Sequence, residues 1–227
     1  MGRRLSATLY THHLQAGLFL RDRFMLRRTL NVGLAAATLT FFATAPALAT
    51  PTSNDPSKAP AGNYELDPRH AGLVVKVAHL GGFSRFTMRF NALTGGFTYD
   101  PANWQATKVN ISIDPKSIDT EIPTFNKQVA GFFEPDKYPA ITFVTTSATG
   151  SEGKGTVTGD LTFHGVTKPV TLDVTFNGSG PGMLGAGTRM GFSGTGRIKR
   201  SDFGVTNEKQ FAGDDIDLSF EIEFVKK

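Results

Sequence analysis

Beyond residue 49, the side chains best suited to chemistry are three histidines and a short acidic run. A zinc site wants histidines three to five residues apart, or cysteine thiolates. His70, His79 and His164 have no such spacing, and the chain has no cysteine. His70 follows Pro68-Arg69 in what reads as an exposed turn, His79 closes an apolar stretch beside two glycines, and His164 begins a turn with Gly165. Asp214, Asp215 and Asp217 could supply the paired carboxylates of a hydrolase. Gly213-Asp214-Asp215 reads equally as a turn, with Asp217 on the wet face of the last strand. No G-x-S-x-G elbow, P-loop or dinucleotide glycine pattern accompanies them. The chain is therefore read as no enzyme and as holding no metal. Arg197-Ile198-Lys199-Arg200 is a short basic run, suited to anionic headgroups or to a solvated strand end.

The overall charge of +4 invites a nucleic-acid reading until its position is considered. Met25-Leu26-Arg27-Arg28 precedes an apolar run over residues 30–42, and Ala47-Leu48-Ala49 supplies the small residues that signal peptidase requires. Pro46 interrupts the run well short of a membrane span. Residues 25–49 thus read as a signal peptide, and residues 1–24 as an upstream extension. Six of the 24 basic residues and one of the 20 acidic ones precede the cut, leaving 18 against 19 and a net charge of −1. No basic footprint for nucleic acid remains. Export without cysteine leaves the fold to rest on its hydrophobic core.

Positioning elements follow from periodicity. Residues 50–62 (TPTSNDPSKAPAG) carry no apolar period and read as a flexible linker. From Tyr64 to the end, residues 63–227 form one domain in which the period is two. Val109, Ile111 and Ile113 alternate with polar neighbours, as do Val170, Leu172, Val174 and Phe176, and Ile216 through Phe224. Such alternation marks strands with one buried face. Shorter runs at 64–67, 73–79, 86–90, 96–99, 141–145 and 190–197 complete eight to ten strands, with turns at Asp100-Pro101, Gly153–Gly155, His164-Gly165 and Gly178–Gly182. Without alternating helices, a sandwich or a closed barrel results. One segment differs: Ile122, Phe125, Val129 and Phe132 or Phe133 recur at helical spacing. Asp119 or Thr120 could cap that helix, and Pro135 would stop it.

Fifteen of the 19 phenylalanines follow the leader, against one tryptophan in the whole chain. For any single Phe a packed core is explanation enough. As a set they raise another reading, because a small eight-stranded barrel either fills itself or holds one ligand.

The stretch at 64–70 (YELDPRH), followed by 75–84 (VKVAHLGGFS), resembles the opening of the YceI-like family. The likeness continues at 90–95, 113–119 and 132–143 (FFEPDKYPAITF), and its most recognisable block is 158–170 (TGDLTFHGVTKPV). It closes at 199–205 and 213–216. The resemblance implies an all-β fold, a single antiparallel eight-stranded lipocalin-like barrel with a short amphipathic helix. It also implies export to the periplasm and a polyisoprenoid or similar long-chain amphiphile, a fatty lipid or an isoprenoid quinone, in the interior. Some relatives are joined to b-type cytochrome membrane domains, so transient contact with an inner-membrane cytochrome or a membrane surface belongs to the expectation, and a homodimer is left open. No resident cofactor is implied. The stretch 125–131 and Met88 depart from the family pattern, which leaves the identity of the lipid open.

Alternation then names the expected wall: Val75, Val77, Phe86, Phe90, Phe97 and Ile111, with Phe143, Leu161, Phe163, Leu172, Phe192 and Phe220 further along. Phe125, Phe132 and Phe133 belong to the helix at the mouth. His79, at the rim, would donate to a lipid head or orient its own turn. A one-residue slip would turn a strand's whole set outward. The rival readings are a barrel filled by its own side chains, with a structural or stress-response role, and an enzyme acting on a lipid.

Overall fold

The computed structural model describes residues 51–151 and 153–227; the expected signal peptide and upstream extension lie outside them. Among the described residues the period-two segments become ten antiparallel strands: β1 (Gly62–His79), β2 (Ser84–Phe90), β3 (Leu93–Tyr99), β4 (Asn110–Ile113), β5 (Ile118–Asp119), β6 (Ile141–Ser151), β7 (Lys154–Phe163), β8 (Val166–Pro181), β9 (Thr188–Lys199) and β10 (Ala212–Lys226). One α-helix, α1 (Pro123–Gly131), interrupts them.

The ring closes because β10 pairs with β1, from Tyr64 opposite Lys226 to His79 opposite Ala212. The upper part of β1 (Leu73 to His79) pairs with β2, and its lower part (Gly62 to Glu65) with β3. β5 continues β4 in the same way, bonding β2 where β4 bonds β3. These two broken strands each fill one place, so the barrel has eight strand positions. Closure removes the exposed edges that would invite aggregation. The outer face is polar, with threonine hydroxyls paired across β6, β7 and β8 (Thr149 to Thr156, 2.9 Å; Thr158 to Thr171, 2.8 Å).

Several local expectations are corrected. His70 lies in no turn between two strands; Asp67 to His70 form an irregularity within the 18-residue β1, between Leu66 and Ala71. Asp67 is buried there and accepts from Arg189 Nη1 and His70 Nδ1, both at 2.9 Å, and from the Arg69 amide. β8 runs through Gly178 to Pro181, which pairs with Thr188, so the turn falls at residues 182–187. Asp214 and Asp215 lie inside β10, not in a turn. Neither Asp119 nor Thr120 caps α1. Both hydrogen-bond the Asn126 side chain instead, and Pro123 begins the helix behind Ile122, which is half exposed and faces away from the core.

The described part of the expected linker does not hang free. The Thr52 amide donates to the Ser179 carbonyl at 2.8 Å, Tyr64 Oη to Pro60 O at 2.8 Å and Tyr99 Oη to Pro56 O at 2.5 Å, while Ala59 is buried. Burial pushes the Tyr99 hydroxyl up to about 12, so it stays a donor. Backbone pairing and two tyrosine hydroxyls thus lay this segment across the lower end of the barrel. Immediately inside, Tyr64 stacks on Phe97 at 5.3 Å, Phe97 meets Phe224 edge-on at 4.8 Å, and Phe192 lies 5.2 Å from Phe176. Tyr64, Met190 and Phe224 are each 1% exposed, so this end is filled.

Candidate functional site

The upper end is not filled. A cavity of about 510 Å³ lies under α1, within the range of small-molecule sites. The barrel contributes Val75, Val77, Phe86, Phe90, Leu161 and Phe163 to its wall, and His79 stands at the rim. Phe125 comes from the inner face of α1, with Phe132 and Phe133 just after it. Ring contacts hold these side chains to the barrel: Phe86 meets Phe125 edge-on at 5.6 Å and Phe133 meets Phe163 edge-on at 5.5 Å, while Phe90 and Phe133 lie tilted at 6.1 Å.

A second cavity of about 190 Å³ adjoins the first from below, the two sharing Leu73, Ile113, Leu161 and Leu218. Phe97, Ile111, Phe143, Leu172, Phe192 and Phe220 line it. The twelve wall positions read from alternation, the three phenylalanines read with the helix and His79 therefore all line one chamber or the other. Two glycines help to keep the lower chamber open. A β-carbon at Gly194 would stand 2.2 Å from Phe220 Cζ, and one at Gly159 2.5 Å from Phe143 Cζ. Each ring lies against the bare backbone of a neighbouring strand instead of projecting across the lumen.

Sequence reasoning passed over several wall residues. Leu73, Ile113, Ile216 and Leu218 share the parity of the named positions and were legible on that signal. Arg200, Val205, Asn207, Glu208 and Phe211 come from the β9–β10 connection, where no period exists to announce them. The basic run also divides. Arg197 and Lys199 point outward and pair with Asp217 at 2.6 Å and Asp215 at 2.9 Å, Ile198 faces the chamber, and Arg200 turns inward.

The remaining candidates for chemistry are all engaged structurally. Asp214 accepts from the Ser201 hydroxyl at 2.7 Å and its amide at 2.9 Å; these bonds, the hydroxyl first, hold its carboxyl below the usual range. Asp217 also pairs with Arg85. His164 Nε2 lies 2.7 Å from Glu134 Oε2 and its Nδ1 3.1 Å from the Phe203 carbonyl. Among the described residues no three His, Asp or Glu side chains gather in a metal-binding group.

The fold and the chamber define a class: a closed eight-stranded antiparallel barrel with a short helix at its mouth and an apolar interior. A family model described as a YceI-like domain matches residues 64–224, and the chain belongs to that family. It is 37% identical over 177 residues to a UPF0312 protein of Vibrio cholerae, covering 76% of this chain and 92% of that one. Among solved structures, Burkholderia cenocepacia BcnA superposes with a TM-score of 0.60 at 27% identity, covering 70% of this chain and 98% of BcnA. A polyisoprenoid binding domain from Saccharophagus degradans superposes at 0.55 with 19% identity, covering 72% of this chain and 98% of that domain, a likeness of fold.

Proposed function

We propose that this protein is an exported carrier that holds the tail of a long-chain isoprenoid or fatty amphiphile inside its barrel. The observation that carries the reading is the pair of adjoining chambers, about 510 and 190 Å³, walled mainly by Phe, Leu, Ile and Val. Each methylene moved there from water contributes about 0.8 kcal/mol, so partition alone suits a prenyl or acyl chain. The solved relative from Saccharophagus degradans is described as a polyisoprenoid binding domain, which agrees with this ligand class. Leu80, Phe83 and Phe211 stand exposed at the upper end, where the Leu80 amide donates to the Phe211 carbonyl at 2.8 Å. An apolar rim of this kind suits exchange of lipid at a membrane surface. The leader read at residues 25–49 makes the periplasm the compartment of this carrier, and an isoprenoid quinone is among the lipids it would accept.

The test is native mass spectrometry of the full chain, expressed with its own leader, fractionated to the periplasm and purified without detergent, followed by organic extraction. A mass matching cleavage after Ala49, with a co-purifying long-chain species, is the expected result. An apo mass that stays unchanged after incubation with prenyl alcohols, fatty acids and quinones would favour a barrel without cargo.

A further inference from the structure

Polar groups on the upper chamber wall are few: His79, Gln128, Arg200, Asn207 and Glu208. Arg200 differs from the others in being both charged and buried, at 8% exposure. It opens the β9–β10 connection and holds that connection together. Its Nε donates to the Gly213 carbonyl at 2.8 Å, Nη1 to the carbonyls of Asn207 and, at 3.3 Å, Val205, and Nη2 to that of Ala212 at 2.9 Å. Four of the five guanidinium N–H groups are so used, which leaves one on Nη2.

Carbonyls satisfy donors without cancelling charge. The cations on the outer face beside it have acids to face: Arg197 and Arg85 have Asp217, and Lys199 has Asp215. Among the described residues Arg200 makes no such pair. Asp214, whose field reaches it, is already committed to the Ser201 hydroxyl and amide. A buried charge without a counter-charge is unfavourable. In a chamber walled by Phe and Leu, the low dielectric makes an anion placed beside it correspondingly favourable.

We propose that Arg200 is the headgroup site of the chamber, taking amphiphiles that end in an anionic oxygen group, a carboxylate or a phosphate monoester. The tail then runs past Leu73, Leu161 and Leu218 into the lower chamber. This inference rests on the carrier reading and specifies its ligand class. His79, Gln128 and Asn207 stand on the same wall, and each side chain carries an N–H donor. Glu208 opposes an anion there, its carboxylate having, among the described residues, only Gln210 Nε2, at 3.5 Å, as a partner.

The experiment compares matched pairs of one chain length on the delipidated full-length protein: geranylgeranyl phosphate against geranylgeraniol, and palmitate against methyl palmitate. Each ligand displaces a fluorescent apolar probe below its micellar concentration. The anionic member of at least one pair is expected to bind about tenfold tighter or more, and the pair with the larger ratio tells phosphate from carboxylate. Glu208→Gln is expected to tighten the anionic members alone. Arg200→Gln should bring each ratio towards one, with Arg200→Lys retaining part of it. Because Arg200 also holds its loop, the wild-type ratios and Glu208→Gln decide the matter if Arg200→Gln does not fold. Equal affinities within both pairs overturn the headgroup site and leave the carrier intact; no binding of any of the four takes the carrier reading down as well.

Discussion

The ring of Phe220 lies over Gly194 on the adjacent strand, so closely that a single added carbon at Gly194 would meet its Cζ at 2.2 Å. The two residues are direct partners in the β9–β10 register. Gly194→Ala is expected to drive the ring into the lower chamber. Overpacking of this kind costs about 1–3 kcal/mol. Affinity should fall for long-tailed ligands while short-tailed ones are retained, in a chain-length series by displacement. The double variant Gly194→Ala with Phe220→Leu is expected to recover the long tails; no recovery would mean that the glycine matters for another reason.

The filled lower end and the hollow upper end predict different responses to the same truncation. Phe224, 1% exposed and in contact with Phe97 and Phe192, should lose about 3–5 kcal/mol on replacement by alanine. Phe125 is only half-buried and borders empty space, so Phe125→Ala should lose about 1 kcal/mol. Urea unfolding of the two variants side by side checks this. Equal large losses would argue that the upper chamber is packed in solution.

Asp67 should govern the acid limb of stability. Burial by itself pushes its carboxyl up, but hydrogen bonds from His70, Arg189 and the Arg69 amide outweigh that and hold it well below the ordinary carboxylate value of 3.8. A group depressed on folding contributes stability above its unfolded pKa and loses it as pH falls through the folded value. Asp67→Ala is therefore expected to lose about 3 kcal/mol at pH 7. The gap to wild type should narrow steadily below about pH 4. A gap independent of pH would show that packing, not charge, is what Asp67 supplies.

The contact between His164 and Glu134 ties the β7–β8 turn to the segment that follows α1. Since Glu134 is exposed, the pair should be worth under about 1 kcal/mol in global stability. Its effect is expected locally: Glu134→Ala should speed amide exchange over residues 132–138 and raise the rate at which ligand leaves the chamber. Glu134→Gln, which keeps an acceptor, should lie between the variant and wild type. Unchanged exchange in that segment would remove the contact from any part in holding the mouth.

Much of this was legible in the sequence because a strand's pleat is a local property. Once a segment alternates, every second side chain shares a face, so Val75 and Val77 or Phe143 and Leu161 could be placed on the lumen without knowing their partners. The Phe-rich inward faces and the helical spacing of Phe125 and Val129 were visible for the same reason. Only the tertiary structure decided which half of the barrel would be hollow. That depends on where ring closure brings Tyr64, Phe97 and Phe224 together, and on residues 51–61 lying across that end. Only tertiary structure turned Arg200 inward, from a basic run whose other two cations face water, because its partners are backbone carbonyls of an irregular loop and of the first two residues of β10, which no side-chain period announces. It also joined Asp67 to Arg189 across 122 residues of chain. A sequence repeats the geometry of a strand every two residues, but contacts made by chain closure leave no such repeat.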